Sequence, residues 1–458
     1  MMEGIYFGLH SIKLELQISP IDMYSVLAEQ CDNVFLLESS EGSEKLSRYS
    51  FLSFSPTKHI TLRNGIVEIN GEKRNCKNPL EELKKEVGTS NIKIPGFIGG
   101  AVGYFSFDYI RYLEKLENNT KDDVNFPDFE FGIFDDSIVY DHRENSMRYV
   151  YREKNRIDEL MKFIKNASFE SKKFEMYNKK CNLSKEKFCE NVETAKKHIV
   201  AGDIFQVVLS KRYEIRYAGS LIPFYRKLKA INPSPYMYYL KFGEREIIGS
   251  SPENLIRVED REITSYATLA GTRPRGETPE QDAKLEKELL NDEKERAEHI
   301  MLVDLTRNDV GKISEPGSVK VSELMSVHKY SSVQHMASLV SGKLKEGKDA
   351  FDAFNSIFPA GTVSGAPKVR ALEIIDELET TKRGPYAGAI GYFSANGNAD
   401  FAIGIRTLFA IKGKAYIQTG AGIVYDSIPE KEFEETENKA RALLTAIGDE
   451  KYEAVINR

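Results

Sequence analysis

Strand-length apolar segments occupy much of the first third of this 458-residue chain and constrain its fold most. They read VFLLES, YSFLSFSP, HITLRNGIVEIN, FIGGAVGYFSF and DDSIVYDH. Alternating or continuous apolar residues over such lengths are typical of strands that cover a core. Later strands, such as GAIGYFS and KAYIQTGAGIVY, fall between amphipathic helices without regular alternation. The pattern therefore predicts an α+β protein and not a series of βαβ units.

Capping residues predict where several helices begin. Ser184 precedes a helix over residues 185–200, and Pro367 and Pro429 lie at the first turns of two later helices. Residues 292–305 also have helical periodicity. The polar run LEKLENNTKDDVNFPD, residues 113–128, predicts an exposed loop.

A polar, Lys-rich stretch from Glu153 to Leu183 divides the chain into two parts of different character. It holds one amphipathic segment, IDELMKFIK, followed by the polar run NASFESKKFEMYNKKCN. We place a domain boundary there. The prediction is a strand-rich domain over residues 1–165 and a mixed domain over residues 180–458.

Composition excludes several classes of protein. The net charge is −6 and no long basic run occurs, which disfavours a nucleic-acid surface. No apolar run is long enough for a membrane-spanning helix, and the N-terminus does not resemble a signal peptide. The four cysteines lack metal-ligand spacing and are too sparse for a disulfide framework. We expect a cytoplasmic protein with reduced thiols.

Two pairs of glutamates share one spacing. Glu295 and Glu298 are three residues apart in a predicted helix, and Glu432 and Glu435 repeat this spacing, with Lys439 one turn later. Residues three or four apart lie on one helix face. Carboxylates are ligands for Mg²⁺, which usually takes one or two of them together with waters and substrate oxygens. The spacing alone leaves open a metal site or two solvated helix faces.

Three glycine-containing segments could bind an anion through their backbone N–H groups: Ala270-Gly271-Thr272, the segment GTVSG at 361–365, and Gly420-Ala421-Gly422. None matches a nucleotide-binding motif, and plain turns remain the alternative.

Two polar residues lie in apolar strand-like segments. Arg406, in IGIRTLF, must pair with a carboxylate of the protein or bind one from a ligand. His335, in SSVQHMASLVSG, could transfer a proton near neutral pH or serve a structural role.

Ten segments of the second region, in order, closely resemble the chorismate-utilising enzyme family. They are GDIFQVVLSKR, GSSPENLIR, LAGTRPRG, ERAEHIMLVDLTRND, VQHMASLVSG, FPAGTVSGAPKVRALEIIDELE, RGPYAGAIGYF, IGIRTLF, TGAGIV and EFEETENKARALL. The first region resembles the family's N-terminal domain through LLES, RYSF and GGAVGYFSFDYIR. The resemblance implies antiparallel sheets packed as a sandwich with helices on the outside. It also implies a regulatory role for residues 1–165 and a catalytic role for residues 180–458.

Two positions separate the branches of this family. Isochorismate and salicylate synthases carry a water-activating Lys where this chain has Gln206. Aminodeoxychorismate synthases typically carry a ring-attacking Lys where this chain has Ala270. Both differences favour the anthranilate-forming branch, which adds ammonia to chorismate and expels pyruvate. An aminodeoxychorismate synthase of folate synthesis is the alternative, and the full set of polar residues disfavours an inactive tryptophan-binding protein.

The resemblance also implies a role for each candidate residue. Glu298 and Glu435 would anchor Mg²⁺, with Glu295 and Glu432 supporting them. Glu253 would be the general acid for the leaving hydroxyl, His335 would remove the proton that lets pyruvate leave, and Thr362 would order the site. The residues expected to contact chorismate are Gly271, Thr272, Tyr386, Arg406, Gly420, Ala421, Gly422 and Lys439.

Regulation and ammonia supply are also implied by the resemblance. The segments LLES and NPSPYM look like two halves of a tryptophan-feedback pocket, in which Ser39, Pro235, Tyr236 and Met237 would contact the inhibitor. None of the cysteines lies in the Gly-rich nucleophile turn that a glutaminase uses. A separate glutamine amidotransferase subunit is therefore expected to supply ammonia.

Overall fold

The computed structural model describes residues 3–6, 9–39, 48–167, 173–276, 278–329 and 333–449. The side chains of Ala270 and Thr272, two positions used above, lie outside this description.

The strands of the first half are β1 (Glu3–Tyr6), β2 (Leu9–Leu14), β3 (Asn33–Glu38), β4 (Tyr49–Phe54), β5 (Lys58–Arg63), β6 (Ile66–Ile69), β7 (Glu72–Asn75), β8 (Gly100–Phe105), β9 (Phe129–Phe134), β10 (Asp136–Asp141), β11 (Ser146–Tyr151), β12 (Phe174–Cys181) and β13 (Gln206–Gly219). The later strands are β14 (Tyr236–Phe242), β15 (Arg245–Ser251), β16 (Asn254–Glu259), β17 (Glu262–Pro274), β18 (Lys320–Lys329), β19 (Val333–Lys343), β20 (Gly365–Ala366), β21 (Ala389–Ser394), β22 (Ala399–Ile403), β23 (Thr407–Ile411) and β24 (Lys414–Ile423).

The helices are α1 (Pro20–Gln30), α2 (Pro79–Val87), α3 (Ile157–Lys165), α4 (Lys185–Val200), α5 (Ile222–Ile231), α6 (Pro279–Asn291), α7 (Glu293–Ile313), α8 (Ala350–Ile357), α9 (Lys368–Leu378) and α10 (Pro429–Ala446). Two short 3-10 helices cover Phe107–Tyr112 and Gly361–Val363.

The strands form two large sheets. The first has the order β1-β2-β11-β10-β4-β3-β14-β15-β23-β24-β13-β12, with β20 paired to β13. The second has the order β18-β19-β17-β16-β22-β21-β8-β9-β5-β6-β7. Neighbouring strands run antiparallel, as in the β3–β14 and β8–β21 pairs. The prediction of an α+β protein built on antiparallel sheets is confirmed.

The two sheets pack face to face through aromatic side chains. Phe35 of β3 in the first sheet meets Phe134 of β9 in the second, with ring centroids 4.8 Å apart. On the outer face of the first sheet, a second core joins strand residues to Tyr24 of α1, Tyr225 of α5 and Leu443 of α10. This is the predicted sandwich with helices outside.

Helix boundaries follow the capping signals closely. The Ser184 hydroxyl accepts a hydrogen bond from the Lys187 N–H at the start of α4. Pro367 immediately precedes α9, and Pro429 is the first residue of α10. The helix predicted over 292–305 is α7, which extends to Ile313 because Val310 and Ile313 keep its apolar face buried.

Two sequence-based interpretations are corrected by the structure. Residues 113–128 form an irregular segment, but Val124, Phe126 and Asp128 are buried, so its second half is not an exposed loop. The polar run after α3 contains β12, which pairs with β13 at the edge of the first sheet. An edge strand with one solvated face needs few apolar residues, and its composition therefore resembled a linker.

Both sheets contain strands from the two sequence regions. In the first sheet β3 pairs with β14, and in the second β8 pairs with β21. The division of roles between residues 1–165 and 180–458 stays a prediction. No helix in the described part of the chain is long and apolar enough to cross a membrane.

Candidate active site

The two acidic helices pack on different sheets, yet their glutamates come close together. Helix α7 packs against β17 of the second sheet, and α10 packs against β24 of the first. Burial raises the pKa of Glu298, and the charges of Glu295 and Glu435 raise it further. Burial and the charge of Glu435 also raise the pKa of Glu432. The fold therefore brings the four predicted carboxylates within electrostatic reach of one another.

This carboxylate group suits a hard divalent cation without forming a complete coordination sphere. Within the described ranges, no three His, Cys, Asp or Glu side chains are grouped closely enough to hold a metal ion by themselves. Mg²⁺ commonly binds one or two carboxylates and completes its shell with waters and substrate oxygens. The donor chemistry and the mutual repulsion that raises the pKa of Glu298 both fit such an ion.

Gln206 contacts the carboxylate group directly. Its Nε2 donates a hydrogen bond to Glu298 Oε1 at 2.7 Å. An added Cβ on Gly422, across the β13–β24 pair, would lie 2.6 Å from this amide nitrogen. Glycine at this position therefore leaves room for the Gln206 amide beside Glu298.

Gly420, Ala421 and Gly422 lie on β24, between β13 and α10. The Lys439 ammonium donates to the Gly420 carbonyl at 3.0 Å and pairs with Glu435 at 2.7 Å. An added Cβ on Gly420 would lie 2.7 Å from the Tyr386 hydroxyl oxygen. The predicted substrate residues on β24, α10 and the loop before β21 are thus neighbours.

Arg406 is not in a strand, contrary to the sequence interpretation. It lies between β22 and β23 with a φ of +51°, a left-handed conformation that is costly for a residue with a Cβ. The turn directs it to α10, where its Nη1 donates to the Lys439 carbonyl at 3.1 Å. Burial lowers the pKa of Arg406, while the charge of Glu435 raises it. A guanidinium in such a place can bind a carboxylate of a ligand.

His335 lies on β19, opposite Thr272 of β17. Burial lowers the pKa of His335 to about 4, with a further lowering from Arg406, against a hydrogen bond with the Gly271 backbone. The imidazole is therefore neutral near pH 7 and able to accept a proton. Gly271, with a φ of +81°, passes close to α7, since its added Cβ would lie 3.4 Å from Glu295 Oε2.

Glu253 and Thr362 line one small cavity beside α7, together with Asn254, Thr306, Asp309 and Ile403. The Glu253 side chain is buried, and the Thr362 hydroxyl has no hydrogen-bond partner among the described residues. A buried hydroxyl of this kind is available to a ligand. Ile403, which also lines the cavity, precedes Arg406 by three residues in the chain.

A buried ion pair behind this cavity was not identified from the sequence. The Lys368 ammonium donates to Asp309 at 2.6 Å and to the Ile357 carbonyl at 2.8 Å. Burial lowers the pKa of Lys368, whereas Asp309 raises it. The available signal was a Lys directly after Pro367 at the start of a buried helix, where a solvated lysine is unexpected.

The two halves of the predicted tryptophan pocket are adjacent in the first sheet. Met237 of β14 lies opposite Glu38 of β3, and Ser39 follows directly. Ser39, Pro235 and Met237 are buried, and the Ser39 hydroxyl has no partner in the described part of the chain. The Tyr236 hydroxyl donates to Asp400 at 3.0 Å.

Fold and site together define an enzyme-like α+β sandwich in which carboxylates, an arginine and a neutral histidine lie close together. Residues 32–445 match the family model described as chorismate binding enzyme, and the chain belongs to that family. The predicted family resemblance is confirmed.

Named relatives agree with this assignment. Anthranilate synthase component 1 of Methanothermobacter marburgensis is 47% identical over 439 residues, covering 95% of this chain and 94% of that protein. The Acetivibrio thermocellus protein of the same name is 48% identical over 459 residues, with coverages of 94% and 92%. The crystal structure of anthranilate synthase component I from Streptococcus pneumoniae TIGR4 superposes with a TM-score of 0.81 at 37% identity, covering 94% of this chain and 98% of that one.

Proposed function

We propose that this chain is the chorismate-using subunit of an anthranilate synthase. It adds ammonia to chorismate, expels pyruvate and releases anthranilate for tryptophan synthesis. The observation that carries this proposal is the convergence of the α7 and α10 carboxylates with Arg406, Tyr386 and the glycine segment of β24. Chorismate has two carboxylates, so it requires two separate positive or N–H-rich subsites.

The first subsite takes the ring carboxylate. Glu298 and Glu435 would hold Mg²⁺, with Glu295 and Glu432 in support, and the cation supplies Lewis-acid stabilisation of charge on that carboxylate. Backbone groups of Gly420 to Gly422, with Gly271 and Thr272 close by, orient the same group. Lys439 keeps the β24 segment against α10 through the Gly420 carbonyl.

The second subsite takes the carboxylate of the enolpyruvyl group. The Arg406 guanidinium offers a bidentate hydrogen-bond pair, and the buried Tyr386 hydroxyl lies beside Gly420 to share it. Separate clamps at the two ends fix the ring in one orientation, which is itself a large part of catalysis.

Proton transfer divides between Glu253 and His335. Glu253 protonates the ring hydroxyl as its carbon–oxygen bond breaks, so that water leaves, and Thr362 orders this end of the site. Ammonia forms the new bond at the ring carbon beside the carboxylate-bearing carbon. His335 then removes the proton at that carbon, pyruvate leaves, and the ring becomes aromatic. A neutral imidazole at working pH supports this last role.

Ammonia would come from a separate glutamine amidotransferase subunit, and tryptophan would inhibit the enzyme at Ser39, Pro235, Tyr236 and Met237. Naming of the relatives as component 1 supports a partner subunit. Four free cysteines support a reducing, cytoplasmic location. Gln206, an amide without basic strength, supports attack by ammonia and not by activated water.

A fluorescence assay tests the proposed function. The purified chain is mixed with chorismate, Mg²⁺ and an ammonium salt at mildly alkaline pH, and anthranilate emission is followed with and without tryptophan. We expect emission that requires Mg²⁺ and decreases with tryptophan. Loss of chorismate without anthranilate would indicate an aminodeoxychorismate synthase. An unchanged chorismate concentration, also after a glutamine amidotransferase subunit is added, would refute both activities.

A further inference from the structure

Asn254 lies between the general-acid candidate and the predicted tryptophan pocket. It is the first residue of β16 and directly follows Glu253. Both side chains are buried, with exposed fractions of 2% for Glu253 and 4% for Asn254. Both residues line the cavity that also contains Thr362.

Hydrogen bonds to Tyr236 and Asp400, beside the predicted tryptophan pocket, orient the Asn254 amide. Its Nδ2 donates to the Tyr236 hydroxyl oxygen at 2.8 Å and approaches Asp400 Oδ1 at 3.3 Å. The Tyr236 hydroxyl in turn donates to the same Asp400 oxygen at 3.0 Å. Because acceptors surround the amide nitrogen, its side-chain orientation is fixed, and Oδ1 has no partner among the residues that the structure describes.

The backbone around Glu253 is also fixed. The Ile403 N–H donates to the Glu253 carbonyl at 3.0 Å. The register of β16 against β22 shifts between Asn254 and Ile256, an irregularity of the kind that redirects side chains next to active sites. A displacement of Asn254 therefore also moves Glu253, because the two residues share a peptide bond.

We propose that Asn254 is a positioning residue through which a ligand at Tyr236 and Met237 controls the placement of the Glu253 carboxyl. The inference rests on the proposed function, in which tryptophan is that ligand. An indole that packs on Tyr236 displaces its hydroxyl from Asp400. Asn254 must then follow or leave a buried amide donor unpaired, which is costly. Glu253 moves with it, and chorismate loses its general acid.

Reciprocity gives a test that does not depend on turnover. If tryptophan weakens productive chorismate binding through Asn254, chorismate must weaken tryptophan binding by the same factor. The chain contains no Trp residue, so the change in tryptophan emission on binding is measured without indole emission from the protein. Tryptophan is titrated with Mg²⁺ present, with and without chorismate, and without ammonia so that no product forms. For the wild type we expect chorismate to weaken tryptophan binding about 5- to 150-fold.

Two variants test the route and one controls for burial. Asn254→Leu should bring the chorismate effect on tryptophan affinity to about one, while tryptophan still binds in the absence of chorismate. Tyr236→Phe removes the hydroxyl that accepts from Asn254 and should also reduce the effect of chorismate on tryptophan affinity. The variant that combines Tyr236→Phe with Asn254→Leu should show no further reduction. Asn398→Leu is the matched control, because Asn398 is a buried asparagine directly before β22 that donates to the Ile94 and Gly96 carbonyls instead.

Each outcome decides the proposal. The proposal is overturned if chorismate weakens tryptophan binding to Asn254→Leu as much as to the wild type. It is also overturned if Asn398→Leu loses this chorismate effect as completely as Asn254→Leu does. If Asn254→Leu fails to fold, Asn254→Ser and Tyr236→Phe carry the same comparison. A wild-type chain that makes anthranilate but binds tryptophan independently of chorismate overturns this proposal and leaves the proposed activity standing. Absence of anthranilate overturns the proposed activity and this inference with it.

Discussion

At the scale of residues, the site gathers four carboxylates, of which Glu435 pairs with Lys439 and Glu295 with Arg273. Glu298 is half-buried near Glu295 and Glu435, and the neutral Gln206 amide donates to it. Removing carboxylates from water is costly unless they are paired or coordinate a cation. The raised pKa of Glu298 therefore supports the proposal that a cation binds here.

Glu298→Ala should abolish Mg²⁺-dependent turnover, with a loss of more than about 100-fold in kcat/KM, because a proposed ligand of the cation is removed. The assay is anthranilate emission across a Mg²⁺ titration. Glu434→Ala on the exposed side of α10 is the control and should retain activity. Wild-type turnover in the Glu298 variant would refute the metal site.

His335→Ala should stall the second step, because no group remains to take the proton that allows pyruvate to leave. The aminated ring that still carries its pyruvyl group should accumulate, and chromatography of the products measures it. His198→Ala on α4, whose imidazole pairs with Asp203, is the control. Normal anthranilate yield from the His335 variant would exclude the assigned role.

His299 should make the folded state less stable as the pH falls. Burial lowers the pKa of His299 to about 4, and its Nε2 bonds to the Ser338 hydroxyl. Between pH 6.5, the ordinary value, and the folded value, the unfolded chain binds more protons, so stability decreases with decreasing pH. The group should remove about 2 kcal/mol of unfolding free energy between pH 7 and pH 5.

Urea unfolding of wild type and His299→Gln at the two pH values measures this contribution. The glutamine amide keeps a bond to Ser338 but does not titrate, so the variant should gain stability relative to wild type at the lower pH. Comparing the two proteins removes the opposite contribution of Asp108 and Asp400, whose pKa values burial raises to about 6. If the unfolding free energies of the wild type and His299→Gln change equally with pH, His299 is not the group responsible.

At the scale of elements, one side chain joins the ends of three helices. Lys368 at the start of α9 contacts Asp309 of α7 and the last carbonyl of α8. The loop that carries Thr362 lies between α8 and α9. Closing this loop against α7 places Thr362 next to the helix that also presents Glu298.

Lys368→Met should destabilise the fold by about 3 kcal/mol, because Asp309 stays buried after its partner is removed. Urea unfolding measures the loss. Lys312→Met removes the other, more exposed cation on Asp309 and should cost about 0.5 kcal/mol. Equal effects of the two substitutions would show that the buried pair has no special role.

At the scale of the whole molecule, neither sequence region completes a sheet alone. β3 needs β14, and β8 needs β21, across the predicted domain boundary. The aromatic core between the sheets also draws on both regions, as in the T-shaped contact of Phe126 with Phe409. The proposed feedback residues on β3 and β14 therefore lie where the two sequence regions join.

A fragment of residues 1–165 should not fold independently, because several of its strands would expose unpaired backbone groups and apolar faces. Near-ultraviolet circular dichroism and heteronuclear NMR of the fragment should show no fixed tertiary packing. The full chain should unfold in a single transition by both probes. A well-dispersed spectrum of the isolated fragment would contradict this prediction.

Local signals explain which parts of the fold were predictable. The α+β class, the start of α4 at Ser184 and the starts of α9 and α10 depend on periodicity and capping, which neighbouring residues define. β12 and the buried half of 113–128 were missed, because an edge strand and an irregular core segment depend on distant partners.

The sequence by itself determined the family, the fold class and the chemical types available to the site. Motif order and the pairs of glutamates required only the order and spacing of residues. Only the tertiary structure decided which of these residues meet. The Gln206–Glu298 contact, the Arg406 bond to the Lys439 carbonyl and the Asn254 bond to Tyr236 join residues of different elements. Such contacts follow from how two sheets and their helices pack, and no local pattern encodes them.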